Sequence, residues 1–421
     1  MERQLLVSLM GSPVGMLQQV EGRLQFVYLP SATVPLSQSL PIRAEPFDDR
    51  ACRPFFGGLL PEGGKRRQIA KTLQVSAQND YALLDKLGGE CAGAVSLSEV
   101  DQASVSSSAN DTVQWLSDLQ LRQVLDDMPL RPMRAGDKGL RLSLAGAQDK
   151  LPVVLGPDGR IGLPMNDLPS THILKPPIPS VEGSVFNEAF CMALATALRL
   201  DVAPSRIHHV QAGGLDDPAH PYLLVTRYDR TIAPNGNIQR LHQEDFCQAM
   251  GVFTEHKYQN EGGPGLAQAF ALLRRATRPS APHILKLLDC VVFNALVGNH
   301  DAHGKNFSLL YLAQGPVLAP LYDLLCTAVY PALTDKMAMK IGSRYKFTEL
   351  QSRHWDAFAL EAGLTPAPVK KRVLDMARRL PALAQATLQE LQAQGLGHPI
   401  QAAIVKLLEK RCALTIRRLA D

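Results

Sequence analysis

Alternating apolar and polar residues predict strands at the start of the chain. Residues 1–29 contain three apolar runs separated by glycine-containing turns, a spacing typical of β-hairpins. Residues 66–87 have apolar positions at helical spacing, with Asn79 and Asp80 placed to cap a helix. Residues 101–112 are rich in serine and poor in apolar side chains. We therefore predict a linker there, and a domain boundary where it begins.

The later part of the chain changes from strands to helices. Short apolar runs typical of strands recur over residues 140–230, interrupted by a predicted helix at 187–200 whose apolar positions fall four residues apart. From about residue 230 the spacing is helical almost throughout. We predict an α+β fold in three segments: a leading subdomain (1–100), a strand-rich part (101–228) and a helical part (229–421).

Composition narrows the class of protein. Of 421 residues, 46% are hydrophobic and 20% are charged, as in ordinary globular proteins. The net charge of +4 neither favours nor excludes a nucleic-acid partner. The start of the chain lacks the pattern of a signal peptide, and no apolar stretch approaches the roughly 20 residues that cross a bilayer. We therefore predict a cytoplasmic protein without a membrane partner. The seven cysteines include no C-x-x-C pair, which argues against a zinc site or a disulfide framework.

The first candidate for chemistry is GNHDAHGKNFS, residues 298–308. It follows a predicted helix, leads into a predicted strand, and places Asp301 five residues before Asn306. Catalytic loops of protein kinases have this spacing, because the aspartate accepts the proton of the substrate hydroxyl while the asparagine binds Mg²⁺. For this stretch alone, a polar loop whose side chains satisfy backbone donors is an equally good interpretation.

A second carboxylate favours the kinase interpretation. Asp323 comes 17 residues after Asn306, at the end of a predicted hairpin. In kinases, a second metal-binding carboxylate lies on the hairpin that follows the catalytic loop. A lone aspartate after a strand is usually a turn former, but at this separation from Asn306 a metal-binding role is the better interpretation.

A nucleotide site also needs positive charge and a phosphate-binding loop. Lys175 ends a predicted strand, and Glu188 opens the next helix and could pair with it, as the strand lysine and helix glutamate of kinases do. The loop SLAGAQDK (143–150) has small residues that let backbone N–H groups approach phosphate oxygens, but it matches no standard glycine motif. The strand at 222–230 could present backbone groups to an adenine. Taken singly, a lysine that ends a strand is most often just solvated, and a simple turn is the better interpretation of the loop. A buried strand with a charged end is an equally good interpretation of residues 222–230.

Together these segments resemble the HipA family of bacterial serine/threonine kinases, the toxin halves of toxin–antitoxin pairs. The matching stretches, in the family's order, are VGML, LPIRAEPF, FFGGLLPEGGKRRQIAK, GGECAGAVSL, SLAGAQDK, THILKPP, NEAFCMALA, RYDR, LHQEDFCQAMG, KYQNEGGPG, GNHDAHGKNFS and PLYD. The resemblance implies a two-lobed kinase-like fold, distantly related to phosphatidylinositol and protein kinases. Its N-terminal lobe would be strand-rich, with a small leading subdomain, and its C-terminal lobe all-helical.

The resemblance also implies a role for each matching residue. Asp301 would be the general base, and Asn306 and Asp323 would hold Mg²⁺ and contact ATP. Ser143 aligns with the serine on which family members autophosphorylate; a phosphate there adds close to two negative charges, which would repel the nucleotide and inactivate the kinase. The other ATP-binding residues would be Ala145, Gly146, Ala147, Gln148, Asp149, Lys150, Lys175, Thr226, Arg227, Tyr228, His303, Gly304, Lys305 and Tyr322.

The reaction and partners implied are those of a type II toxin. We expect an ATP- and Mg²⁺-dependent serine/threonine protein kinase that phosphorylates an aminoacyl-tRNA synthetase, such as the glutamyl enzyme, and so causes growth arrest and persistence. A HipB-like helix-turn-helix antitoxin would contact operator DNA, because residues 360–363 (LEAG) lack the basic residues with which a family member touches DNA. Thr226 replaces an acidic residue found at the adenine side in the family, so the polar contact there stays open.

Two other classes of function are weighed against this one. A degenerate kinase could bind ATP and serve only as the corepressor partner of the antitoxin, but retention of Asp301, Asn306, Asp323 and Lys175 argues against it. A metabolite kinase or nucleotidyl transferase is disfavoured by the leading subdomain and by the Ser143 loop, since neither is needed for that chemistry.

Overall fold

The strands lie mainly in the first 250 residues of the chain. The computed structural model describes residues 3–100, 112–211, 219–233 and 236–420, so nearly all of the predicted linker at 101–112 lies outside the described residues. The strands are β1 (Gln4–Leu9), β2 (Ser12–Val20), β3 (Arg23–Tyr28), β4 (Val95–Glu99), β5 (Val113–Trp115), β6 (Leu151–Leu155), β7 (Ile161–Pro164), β8 (His172–Lys175), β9 (Ser205–Val210), β10 (His220–Thr226), β11 (Arg230–Ile232), β12 (Ile238–Arg240), β13 (His242–Asp245), β14 (Ser308–Leu312), β15 (Gly315–Leu318), β16 (Lys336–Ile341) and β17 (Arg344–Lys346).

The helices lie mainly in the second half of the chain. They are α1 (Asp49–Gly58), α2 (Gly63–Thr72), α3 (Asp80–Leu87), α4 (Asp118–Asp127), α5 (Ser184–Ala197), α6 (Phe246–Met250), α7 (Leu266–Ala276), α8 (Ala281–Val297), α9 (Ser352–Glu361), α10 (Pro366–Ala393) and α11 (Pro399–Ala420). Within the described ranges, none of them is long and apolar enough to cross a membrane.

The chain divides into two units. Unit 1 comprises Met1–Pro176, His208–Thr254 and Leu310–Leu312, and unit 2 comprises Pro177–Ile207, Glu255–Leu309 and Ala313–Asp421. Helix α5 therefore belongs to unit 2, although in the sequence it lies within the predicted strand-rich segment. The three segments proposed from the sequence stay a prediction.

Unit 1 begins with the predicted hairpins. Strands β1, β2 and β3 pair in antiparallel fashion and β4 joins the other edge of β1. Along β1 the side chains of Leu5, Val7 and Leu9 are buried, while the residues between them are partly exposed, as expected when one face of a sheet covers a core. Phe26 of β3 meets Phe56 of α1 with ring centroids 5.3 Å apart. Helix α1 was not predicted.

The second sheet of unit 1 has the order β5-β7-β6-β8-β10-β9. It contains the predicted strands around THILKPP and YLLVT, but residues 140–146, also predicted as a strand, make only two isolated bridges, Leu142 with Glu90 and Gly146 with Pro61. The helical spacing at 66–87 corresponds to α2 and α3. As predicted, Asn79 caps α3, because its side chain accepts a hydrogen bond of 3.0 Å from the Ala82 amide.

Unit 2 is mainly helical, as predicted for the C-terminal part of the chain, although short strands mean that it is not all-helical as the resemblance implied. The predicted hairpin of β14 and β15 forms, although residues 310–312 of β14 belong to unit 1. Unit 2 also contains the pair β16 and β17, which was not predicted. Helix α8 is buried over most of its length, which is typical of a helix that is apolar on nearly all sides. It ends at Gly298, whose φ of 84° is the left-handed conformation that terminates many helices.

Candidate active site

The loop that carries Asp301 starts from a fixed point at the end of α8. A Cβ atom at Gly298 would lie 2.7 Å from the Cβ of Ala328, so both the conformation and the space require glycine there. Arg411 of α11 donates hydrogen bonds to the Leu296 carbonyl (3.2 Å) and the Ala295 carbonyl (2.7 Å). These satisfy carbonyl groups that a helix end leaves without an intrahelical partner.

Asn299 links this loop to the segment of Asp323. Its Oδ1 accepts a hydrogen bond of 3.1 Å from the Asp301 amide, and its Nδ2 donates to Asn294 Oδ1 at 3.0 Å and to the Asp323 carbonyl at 3.4 Å. Asp323 has a φ of 53°, a left-handed conformation that aspartate and asparagine tolerate better than most residues. The two aspartates singled out in the sequence therefore lie in adjoining segments of unit 2.

The Asp301 carboxylate is accessible and partly oriented. Its side chain is 54% exposed, and its Oδ1 accepts a hydrogen bond of 2.5 Å from the Tyr258 hydroxyl. The Asp301 carbonyl accepts hydrogen bonds from the His303 amide (2.8 Å) and from Asn306 Nδ2 (3.1 Å). Different partners thus hold the backbone and the side chain of Asp301. Because the carboxylate is also exposed, a substrate hydroxyl could approach it.

Asn306 and Asp323 supply the oxygen atoms that Mg²⁺ prefers. Because Asn306 uses its Nδ2 on the Asp301 carbonyl, its Oδ1 is left as a potential ligand. No three His, Cys, Asp or Glu side chains in the described ranges are placed to hold a metal ion by themselves. A Mg²⁺ site with few protein ligands fits this arrangement, because in kinases the nucleotide phosphates complete the coordination shell.

The residues between Asp301 and Asn306 that were predicted to bind the nucleotide are buried parts of the same loop. His303, Gly304 and Lys305 are buried. The Tyr322 hydroxyl contacts the Lys305 carbonyl at 2.8 Å and Ser308 Oγ at 2.7 Å. Tyr322 therefore braces the turn between the loop and β14.

The predicted phosphate loop lies in unit 1 and is closed by its own lysine. Lys150 Nζ donates to the Ala145 carbonyl at 2.7 Å. Gly146 has a φ of 109°, and a Cβ there would lie 2.7 Å from that ammonium group. Asp149 is anchored through an ion pair of 2.7 Å with Lys65 of α2. Ala147 is exposed at the tip and Gln148 is half-buried.

Ser143 precedes this loop and is fully buried. Its Oγ donates to the Leu59 carbonyl at 2.8 Å, and its amide donates to the Glu90 carbonyl at 2.9 Å. Because the Ser143 Oγ is buried and hydrogen-bonded, a phosphate on this oxygen could be accommodated only if the segment were displaced.

Lys175 and Thr226 lie on the paired strands β8 and β10. Lys175 is opposite Leu223 and is buried, and Thr226 is opposite His172, with 3.3 Å between Thr226 Oγ1 and His172 Nε2. Burial lowers the pKa of His172 to about 4. The predicted pairing of Lys175 with Glu188 stays a prediction.

The Arg227 side chain, predicted to lie at the adenine side, is buried in unit 1, and the nucleotide-binding role of this residue stays a prediction. Its guanidinium is 1% exposed and donates to Asp229 Oδ1 (2.9 Å) and to Glu90 Oε1 (2.9 Å). A buried guanidinium needs acceptors for its N–H groups, and the Asp229 and Glu90 carboxylates provide them inside unit 1. The neighbouring Tyr228 donates its hydroxyl to Gln243 Oε1.

Three residues that contact the candidate site or its supporting helix end were missed from the sequence. Tyr258 lies within KYQNEGGPG and Asn299 within GNHDAHGKNFS, so the stretches were singled out but these side chains were given no role. Arg411 belongs to no motif, because its task depends on α11 packing against the end of α8.

Comparison with known proteins identifies the family. A family model described as the HipA-like C-terminal domain matches residues 142–384, and one described as the HipA N-terminal domain matches residues 5–98. The chain therefore belongs to the HipA family, in which relatives are named as kinases.

Two curated relatives support this assignment, and one solved structure has the same fold. Y4mE of Sinorhizobium fredii, provisionally named a kinase, is 51% identical over 346 residues, which are 82% of this chain and 80% of that protein. The serine/threonine-protein kinase toxin HipA of Shewanella oneidensis is 28% identical over 375 residues, 84% of this chain and 81% of that protein. HipA in the Shewanella oneidensis complex of HipA, HipB and operator DNA matches with a TM-score of 0.84 and 24% identity over 99% of this chain and 98% of that chain, which shows the same fold.

Proposed function

We propose that this protein is an ATP- and Mg²⁺-dependent serine/threonine protein kinase and the toxin of a type II toxin–antitoxin pair. The observation that carries the proposal is the Asn299 bridge, which brings the segments of Asp301 and Asp323 together with Asn306 in unit 2. A base candidate and two oxygen ligands in adjoining segments are what phosphoryl transfer by a kinase requires.

In this proposal the residues act mainly by positioning and by neutralising charge. Asp301 accepts the proton of a serine or threonine hydroxyl while the oxygen of that hydroxyl bonds to the γ-phosphorus and ADP leaves. Asn306 and Asp323 hold Mg²⁺, which would neutralise charge on the phosphates when bound. In unit 1, the loop from Ala145 to Lys150 and the buried Lys175 provide backbone N–H groups and positive charge for phosphates.

Regulation and partners are proposed from the family. Phosphorylation of Ser143 would add close to two negative charges in a buried position and would displace the segment that leads into the phosphate loop. The name of the Shewanella complex includes HipB and operator DNA, so we propose a HipB-like antitoxin as partner, with DNA bound through it. An aminoacyl-tRNA synthetase, such as the glutamyl enzyme, is the proposed target.

The decisive experiment compares wild type with Asp301→Asn, using γ-labelled and α-labelled ATP, Mg²⁺ and a cell extract as the source of substrate. Wild type should transfer label only from γ-labelled ATP, and Asp301→Asn should lose at least 100-fold of that activity, as expected when a general base is removed. Both proteins should unfold at the same temperature. Asp375→Asn, an exposed aspartate of α10, is the matched control and should remain active.

Two outcomes would contradict the proposal. Transfer from α-labelled ATP would indicate a nucleotidyl transferase, and wild-type ATP binding without any transfer would indicate a degenerate kinase. Phosphosites located by mass spectrometry in the same extract would show whether a tRNA synthetase and Ser143 are modified.

A further inference from the structure

The segment KYQNEGGPG, residues 257–265, has no role in the proposed chemistry so far, yet it contacts Asp301. The Tyr258 hydroxyl donates the 2.5 Å hydrogen bond to Asp301 Oδ1. The Tyr258 ring meets His303 edge-on, with ring centroids 5.0 Å apart, and His303 Nε2 lies 4.0 Å from the same carboxylate oxygen. Tyr258 is therefore fixed both at its hydroxyl and at its ring.

The loop that carries Tyr258 is held in place by hydrogen bonds within it and by a tight glycine turn. The Tyr258 carbonyl accepts hydrogen bonds from the amides of Glu261 (3.0 Å) and Gly263 (2.9 Å). A Cβ at Gly263 would lie 2.1 Å from the His256 carbonyl oxygen, so this turn closes only with glycine. The glycines of the segment thus serve to form a tight turn directly after Tyr258.

Two more contacts attach this loop to the rest of unit 2. Gln259 Oε1 accepts a hydrogen bond of 2.8 Å from the Lys340 amide of β16. The Lys257 carbonyl accepts one of 3.3 Å from the Gly304 amide, which lies in the catalytic loop itself. The residues on both sides of Tyr258 are therefore tied down, one of them to the loop that contains Asp301.

This rigidity distinguishes two possible roles for the hydroxyl. A hydroxyl at a base can occupy the place of the substrate and inhibit, but an inhibitory plug must be able to leave. Tyr258 is instead held on a fixed turn attached to the loop that it contacts. It also occupies only Oδ1, and Oδ2 of Asp301 has no partner among the described residues. A fixed donor on one oxygen orients the carboxylate and leaves the other oxygen for the substrate.

We infer that Tyr258 is a positioning residue that orients the Asp301 carboxylate for proton acceptance through Oδ2. The inference rests on the proposed kinase function. It gives the KYQNEGGPG segment a purpose: to place one phenol hydroxyl against the catalytic base from a preorganised turn. Such second contacts hold reacting groups in productive geometry, and their loss lowers the rate of the chemical step rather than the binding of substrate.

The test is Tyr258→Phe, which keeps the ring on His303 and removes only the hydroxyl. We expect kcat for phosphoryl transfer to fall about 10-fold or more, as for other lost positioning contacts, while the KM for ATP and the affinity for a non-hydrolysable ATP analogue stay unchanged. The matched control is Tyr345→Phe, a partly buried tyrosine of β17 in the same unit, which should keep wild-type kcat. Wild-type kcat in Tyr258→Phe, or a rise in kcat as expected for a released plug, would overturn the inference.

A second measurement separates this inference from the proposed function, because it needs no activity. Losses in unfolding temperature caused by Tyr258→Phe and Asp301→Ala should be non-additive, since either change breaks the same hydrogen bond. The same cycle with Tyr345→Phe should be additive. Additive losses for the Tyr258 cycle would contradict the contact itself. An inactive wild type with a non-additive cycle would instead contradict the kinase proposal and leave the contact in place.

Discussion

At the scale of single residues, Glu90 joins parts of unit 1 that are far apart in the sequence. Its carboxylate is fully buried and accepts hydrogen bonds from Arg227 (2.9 Å), Arg230 (2.8 Å) and Arg240 (2.7 Å). Its carbonyl accepts the Ser143 amide. One residue thus connects the segment before the phosphate loop with the segment that follows β10.

The charge of Glu90 should stabilise the fold in a defined pH range. Burial raises the pKa of Glu90, but the guanidinium groups of Arg230, Arg227 and Arg240 outweigh burial and lower that pKa to about 2. A carboxylate with a lowered pKa in the folded state stabilises the protein above its unfolded pKa, and this stabilisation is lost as the pH falls towards the folded pKa. The loss should therefore occur as the pH falls from about 4.5 to about 2.

We predict that Glu90→Gln lowers the free energy of unfolding by about 3 kcal/mol at pH 7, because it removes the carboxylate charge that pairs with Arg227, Arg230 and Arg240. The difference from wild type should shrink as the pH falls from 4.5 towards 2. Urea unfolding followed by circular dichroism over this pH range measures both effects. Glu45→Gln, an exposed glutamate of the same unit, should change little. A Glu90→Gln loss that is independent of pH would contradict the electrostatic explanation.

At the scale of elements, the end of α8 is supported from α11. Besides its two hydrogen bonds to α8 carbonyls, Arg411 stacks on Phe347 with its guanidinium carbon 3.6 Å from the ring centroid. Burial lowers the pKa of Arg411 to about 10, so the side chain remains a cation at neutral pH. A cation at the C-terminal end of a helix is also favoured by the helix dipole.

We predict that Arg411→Ala destabilises the protein by about 2 kcal/mol, because two buried carbonyls lose their donor. Under the proposed function, phosphoryl transfer should fall as well, since the loop that carries Asp301 begins two residues after Leu296, which Arg411 contacts. Thermal unfolding and kcat measure the two effects. Lys410→Ala, at the exposed neighbouring position of α11, should alter neither. Full activity in a destabilised Arg411→Ala protein would limit Arg411 to a role in folding.

At the scale of the whole molecule, a ligand that binds only the folded protein raises its stability by an amount set by ligand concentration and affinity, about 2.7 kcal/mol at 100 times the dissociation constant. Under the proposed function, ATP with Mg²⁺ should act in this way. The size of the Mg²⁺ contribution depends on whether Asp323 ligates the ion, since a carboxylate binds Mg²⁺ more strongly than a neutral amide does.

We predict that ATP with Mg²⁺ raises the unfolding temperature more than ATP with EDTA, and that EDTA abolishes phosphoryl transfer. In Asp323→Asn the extra stabilisation by Mg²⁺ should be lost. Asparagine suits the left-handed φ at this position, so the variant should fold without added backbone strain. Differential scanning fluorimetry of both proteins tests this, with Asp375→Asn as control. Equal Mg²⁺ dependence in Asp323→Asn and wild type would exclude Asp323 as a ligand.

Local patterns in the sequence determined many of the helices and strands, and the order of the motifs determined the family. The alternation in β1, the Asn79 cap and the apolar helix α8 are each specified by residues close together in the chain, and the structure confirms them. Motif order identified the HipA family, which the family models confirm. The ligand and catalytic roles of Asp301, Asn306 and Asp323 remain predictions, although the structure places their segments side by side.

Only the tertiary structure decided which partner each side chain meets. Arg227 follows a strand and could face either a ligand or the interior; the buried Glu90, 137 positions away, decides for the interior. Tyr258 and Asp301 are 43 positions apart, and no local period relates them. Periodicity reports which face of an element is buried, whereas hydrogen bonds and ion pairs between distant segments depend on how the elements pack.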